Sequence, residues 1–230
     1  MTVVLGLDTA TPSTAVGVVA PGARPVELRH DPAPGERPGH ASQLLPLARE
    51  ALARAGLTFG DVDRIGVGVG PGTFTGLRIG VATARALAQA SGAELAAVSS
   101  LRALAEGAAG EAAGEPVLAV LDARRGEAFV EVWREDQRLA GPLAVRPEEL
   151  GGLADAAAGA WLAVGDGAVR FRLHLEPAAT VPADGSHLHR VSALAICRLA
   201  VGSPTVRRDA LVPEYVRAPD AVEQQRPRVP

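Results

Sequence analysis

Residues 65–88 constrain this chain more than any other stretch, because they read as strand, tight loop and helix in immediate succession. The run Ile65–Val69 is short and β-branched at alternate places, and Gly70-Pro71-Gly72 is the strongest turn signal in the sequence. Leu77, Val81, Ala84 and Leu87 then recur at helical spacing, with Thr73 or Thr75 placed to cap the first free N–H groups. A glycine loop feeding a helix start can hold an anion, since unpaired N–H groups and the helix dipole converge there. The loop is nevertheless no Walker A motif, lacking Gly-Lys-Ser/Thr, and no Gly-x-Gly-x-x-Gly begins at Gly66, Gly68 or Gly70. Phosphate binding is a weak signal here, and the simpler reading is that the glycines only let the chain turn. The helix says more. Gly76, Gly80, Ala84 and Ala88 fall four apart and leave one face almost bare, so that another backbone can approach it closely.

A chain of 230 residues suits one large domain or two small ones sharing an interface. With 47% hydrophobic but only 3% aromatic residues, its core must be built from Ala, Val and Leu, which pack backbones closely. All 23 basic residues are Arg, and there is neither Lys nor Asn, a pattern that reads as codon bias. It excludes a Schiff-base lysine and a phosphate-cradling one. A net charge of -3 and a pI near 6.0 exclude a broad basic field that holds nucleic acid unaided, so any RNA role is expected to be indirect. The single cysteine, Cys197, lies in the apolar stretch 194–199 and reads as a buried thiol in a reducing compartment. No apolar run reaches the ~18 residues of a membrane span and no signal-peptide pattern precedes the first strand. The expectation is a cytoplasmic protein without membrane contact.

Val3–Asp8 is an apolar strand ending on a carboxylate; the turn 9–14 and the strand Ala15–Val19 complete a hairpin with an acid at its tip. A third strand at Pro25–Arg29, a Pro/Gly loop at 31–39 and a helix from His40 or Ser42 to Ala55 precede the 65–88 stretch. A strand at Glu94–Val98 and a helix capped by Ser99-Ser100 follow it, the helix running to about Ala109. The Gly/Ala/Glu segment 107–115 reads as a flexible boundary between a first subdomain (1–106) and a second (107–217), with 218–230 as a tail. Beyond it the order restarts: the strand Val117–Asp122, a turn at 123–127, the strand Ala128–Trp133, a helix at 147–157, the strand Trp161–Val164 and a helix at Val191–Val201. This order describes an α/β chain with a duplicated RNase H-like (actin-like, ASKHA) fold whose second copy is shortened. In such folds the two acid-tipped hairpins face each other across a cleft. Asp8, Thr9, Gly72, Thr73 and Asp122 would there hold a nucleotide phosphate with its Mg²⁺. The loops argue against it, because the first turn has no glycine and the second only Gly126, too few for backbone N–H groups to close on phosphate. The alternative is that both aspartates cap turns.

Five stretches, Val4–Thr11, Gly70–Gly80, Val98–Leu101, Asp122–Glu127 and Pro213–Arg217, together resemble the TsaB (YeaZ) family over nearly the whole chain. The resemblance implies an actin-like fold and a role in forming threonylcarbamoyladenosine beside the anticodon of bacterial tRNA. It implies a non-catalytic subunit that pairs with a catalytic TsaD-like paralogue, assisted by a TsaE-like ATPase, reaching tRNA indirectly and forming a homodimer when alone. It implies no cofactor on this chain, with ATP or ADP, if held, at the junction with the partner. The catalytic paralogue carries two metal-binding histidines at i and i+4 where this chain has Ser99–Leu104, a stretch without a metal ligand. His187 and His189 read as solvated loop groups, and neither a Gly-x-Ser-x-Gly elbow nor a histidine beside Cys197 offers a nucleophile.

The resemblance also implies that the helices at 40–55 and 76–88 form a bundle with their counterparts on the partner. Gly80 and Ala84 would permit close approach there, Leu44, Leu45, Leu77 and Val81 supply apolar area, and Arg78 and Arg85 fix the register at the rim. The alternative reading of the bare face is that it packs on the chain's own sheet. An actin-like ATPase or small-molecule phosphotransferase acting alone is the competing function and requires ATP binding that depends on Asp8. A glycoprotease-like peptidase has no nucleophile or metal set here. Arg124 and Arg125 either touch tRNA or only flank a turn.

Overall fold

The computed structural model describes residues 2–33, 35–155, 161–176 and 178–216, and builds them around two five-stranded sheets. The first contains β1 (Val4–Asp8), β2 (Thr14–Val19), β3 (Val26–His30), β4 (Arg64–Gly70) and β5 (Glu94–Ser99) in the order β3-β2-β1-β4-β5. Its first three strands are antiparallel, while β4 runs parallel to β1 and β5 to β4. The second contains β6 (Val117–Arg124), β7 (Glu127–Arg134), β8 (Gln137–Val145), β9 (Trp161–Val164) and β10 (Ala179–Thr180), ordered β8-β7-β6-β9-β10 with the same directions. The chain is therefore a duplicated RNase H-like, actin-like fold.

Among the described residues, the helices of the second copy are shorter than those of the first. Against α1 (His40–Arg54) and α2 (Phe74–Ser91) stand α4 (Leu150–Asp155), α5 (Asp166–Arg170) and α6 (Arg172–Leu175). The strand β8 has no counterpart in the sequence reading, because Gly141-Pro142 interrupts it and it lies at the sheet edge with little apolar alternation. Of the helix expected at 147–157, Pro147–Glu149 forms a 3₁₀ turn leading into α4, and the last residues lie outside the described residues, as does the tail at 218–230.

Alternation along β1 sends Leu5 and Leu7 to the core under α1 and α2, and Val4 and Gly6 to the opposite face. There, Gly17, Gly6 and Gly66 stand side by side across β2, β1 and β4 and form a trough for α7 (Ala193–Gly202). A Cβ would come within 2.8 Å of the Ala193 carbonyl at Gly17, 2.7 Å of Cys197 Sγ at Gly6 and 2.7 Å of Ala200 Cβ at Gly66. The helix α3 (Ser100–Ala112) lies beside α7 and packs on β6 and β7, so these two helices fill the layer between the sheets.

Two expectations change here. The segment 107–115 is no flexible boundary: α3 continues through Ala112 and buries Ala108 and Ala112. A division at 106/107 thus cuts a helix, and α7, from the second half of the chain, completes the core of the first sheet. Cys197 is fully buried, as expected, and burial pushes its thiol up to about 12. At pH 8 its thiolate fraction is about 10⁻⁴, so a thiol reagent is expected to label the native protein only as fast as α7 detaches. Timed labelling with and without denaturant checks this; native labelling at the rate of free cysteine would contradict it. No helix among the described residues is long and apolar enough to cross a membrane.

Candidate functional site at the start of helix α2

Asp8, at the end of β1, is buried beneath the glycine loop. The Ala10 N–H donates to its Oδ1 at 3.1 Å and the Ser100 hydroxyl to its Oδ2 at 3.1 Å, while the bare Gly68 lets the carboxylate lie against β4. Ser99 is the cap of α3, its hydroxyl accepting from the Arg102 N–H at 3.2 Å, and this leaves Ser100 free to turn inward. Burial outweighs the hydrogen bonds to Asp8 and raises its pKa to about 6.

The neighbouring backbone closes the loop. The Thr73 N–H donates to the Ala10 carbonyl at 2.7 Å, Gly72 lies flush against Ala10, and the Glu214 N–H donates to the Val69 carbonyl at 2.7 Å. At Gly70, with φ +127°, a Cβ would meet the Glu214 carbonyl at 2.5 Å. These glycines permit close packing of the chain on itself. Thr73 occupies the N-cap position of α2, but its side chain makes no capping bond.

Four of the five residues expected to line a nucleotide cleft, Asp8, Thr9, Gly72 and Thr73, meet at this corner. Asp122 has separate partners in the second half. It accepts from the Arg124 N–H at 2.9 Å, from Arg124 Nη1 at 3.1 Å and from Arg170 Nη1 at 2.9 Å, and its own N–H donates to Asp166 at 3.0 Å. Burial is the main cause of a raised pKa at Asp166. The turn beyond Asp122 is a two-residue hairpin, Arg125 and Gly126 both having positive φ, with Arg124 drawn back onto the carboxylate.

The structure corrects the expected partner face. Leu44, Leu77, Gly80, Val81 and Ala84 are buried within the chain. The bare face of α2 receives Thr9: a Cβ at Gly76 would strike the Thr9 carbonyl, one at Gly80 would strike the Thr9 hydroxyl, and that hydroxyl donates to the Gly76 carbonyl at 2.7 Å. Leu45, Arg78 and Arg85 remain exposed. Arg78 belongs to an outward cluster in which the Phe74 and Tyr215 rings stack at 5.4 Å, the guanidinium lies 3.7 Å over Phe74, and Nε donates to the Tyr215 hydroxyl at 3.3 Å. Phe74, Tyr215 and Leu45 are 39–48% exposed. The sequence reading passed over both aromatics, although each lies in a motif that carries the family resemblance.

His40 opens α1 as expected and is buried, with Nδ1 2.8 Å from the Thr14 hydroxyl and its pKa lowered by burial and by His30. His187 is exposed, but His189 is not solvated: it is buried, Nδ1 accepts from the Gly165 N–H at 3.2 Å, and Nε2 then donates to the Pro182 carbonyl at 3.1 Å. Among the described residues no cluster of three or more His, Cys, Asp or Glu side chains is arranged to hold a metal.

The family model for TsaD, tRNA N6-adenosine threonylcarbamoyltransferase, matches residues 36–166. The tRNA threonylcarbamoyladenosine biosynthesis protein TsaB of Escherichia coli K12 is 35% identical over 135 residues, 59% of this chain and 55% of that protein. An uncharacterised protein of Mycobacterium tuberculosis is 41% identical over 145 residues, 60% of this chain and 63% of its own length. The chain thus spans little more than half the length of these curated relatives. A crystal structure from Pseudomonas aeruginosa, described as an uncharacterised protein with similarity to the peptidase YeaZ, superposes with a TM-score of 0.80 at 31% identity, covering 94% of this chain and 100% of that one. A TsaD-type pattern over more than half of the sequence, carried on a YeaZ-like architecture over nearly all of it, places this chain in the TsaB/YeaZ family.

Proposed function

We propose that this chain is a non-catalytic subunit in the formation of threonylcarbamoyladenosine on tRNA, where it pairs with and activates a TsaD-like catalytic paralogue, with a TsaE-like ATPase assisting. The observation that carries this reading is the closed corner at the start of α2. Asp8 is hydrogen-bonded to Ala10 and Ser100, the Thr73 N–H to Ala10, and Glu214 lies over Gly70, so an incoming phosphate would have to displace the chain's own backbone. The competing reading, an ATPase or phosphotransferase acting alone, needs that corner open and Asp122 released from Arg124 and Arg170.

The partner surface in this proposal is the outward cluster of Phe74, Arg78 and Tyr215. Aromatic and arginine side chains are the types that anchor interfaces, and here they are already ordered against one another, which lowers the entropy lost on docking. The same patch would carry the homodimer of the chain alone. Substituting Phe74→Ala and Tyr215→Ala together is expected to weaken pairing with the paralogue by about tenfold or more, with a fall in melting temperature of only a few degrees and a parallel fall in tRNA modification. Light scattering and a reconstituted modification assay check this. Wild-type affinity in the double variant overturns the surface assignment; failure of the wild type to pair or to support modification overturns the subunit reading.

A further inference from the structure

Farther along α2, Arg85 faces Arg207 and Arg208 across a groove of about 630 Å³ whose remaining walls are Ala86, Gln89 and Asp209. The segment bearing the two later arginines is pinned to the first sheet by the Val206 N–H, which donates to the Leu95 carbonyl at 2.8 Å. Arg207 pairs with Asp209 at 3.0 Å, whereas Arg85 and Arg208 make no hydrogen bond or ion pair among the described residues. Three guanidinium groups against one carboxylate make this groove locally positive on a chain of net charge -3.

We propose that this groove binds the phosphodiester backbone of RNA and gives the chain a direct contact with tRNA, away from the aromatic partner surface. Guanidinium forks match phosphate oxygens in pairs. No aromatic ring lines the groove, so bases gain no stacking there and the contact is with backbone. An extended acidic peptide is a poorer fit, because its wall is a helix whose backbone groups are already bonded and offer no strand edge. The adjoining hollow of about 380 Å³ toward Gly92 shares Arg207 and Arg208, and its one carboxylate, Glu94, is paired with Arg64, so the positive wall continues into it. The choice of tRNA among RNAs rests on the function proposed above; the backbone contact does not.

Fluorescence anisotropy of a labelled tRNA transcript, titrated with the full chain between roughly 50 and 150 mM salt, tests this. Binding should weaken with salt. Arg207→Ala with Arg208→Ala should weaken it further for a tRNA and an unrelated RNA alike and flatten the log–log salt slope by about 1 to 2, while Arg208→Lys, which keeps the charge but not the fork, should keep the wild-type slope and lose part of the affinity. No RNA binding by the wild type, an unchanged slope in the double variant, or competition by inorganic phosphate without RNA binding each overturns the proposal. Light scattering of the wild type with the paralogue is run alongside: loss of pairing there sinks the subunit reading and leaves the RNA result to stand or fall alone.

Discussion

Gly76→Ala is expected to destabilise this protein by about 3 kcal/mol, lowering its melting temperature by roughly 6–12 °C, and Thr9→Ala is not expected to rescue it. The added methyl strikes the Thr9 carbonyl, a backbone atom held by the β1–β2 turn, so relief requires moving the hairpin off α2. Gly80→Ala differs in kind. Its methyl strikes the Thr9 hydroxyl, a side-chain atom, and the cost should be about 1–2 kcal/mol, most of it recovered when Thr9→Ala removes the obstacle. Thermal melts of the two single variants and the two combinations with Thr9→Ala decide the matter. Equal rescue in both pairs, or a wild-type melt for Gly76→Ala, would show that the bare face is not filled by Thr9.

Asp8→Asn should act in the opposite direction. The folded carboxyl keeps its proton up to about pH 6 because of burial, whereas in the unfolded chain it ionises near its ordinary 3.8. The folded state therefore binds more protons across that window, and wild-type stability falls as pH rises from about 4 to 6, then levels, for a total of about 3 kcal/mol. Asparagine keeps an acceptor for the Ala10 N–H and can donate to Ser100, but never carries the charge. The variant should melt several degrees above wild type at pH 8 and converge with it at pH 4. A variant less stable at both pH values would mean that the ionised carboxylate makes a favourable contact in the folded protein.

Much of this was legible in the sequence, and the gaps have physical causes. The first hairpin and the strand–loop–helix at 65–88 announce themselves through period and glycine placement, so they appear where expected. The bareness of α2 shows that a backbone comes close, but not whose, since a family partner and the chain's own Thr9 demand the same small residues. The seat of α7 was unreadable for a similar reason: Gly6, Gly17 and Gly66 are scattered along the chain, and only strand pairing aligns them. The aromatic cluster joins residues 74 and 215, a distance no local pattern spans.

The trough of Gly17, Gly6 and Gly66 also sets an order of events during synthesis. Until residues 193–202 have left the ribosome, the first strands made present an open apolar slot with nothing to lie in it. The earliest part of the chain is then among the last to reach its final stability, and a nascent chain halted before α7 is the form that chaperones and proteases meet with its first sheet half covered.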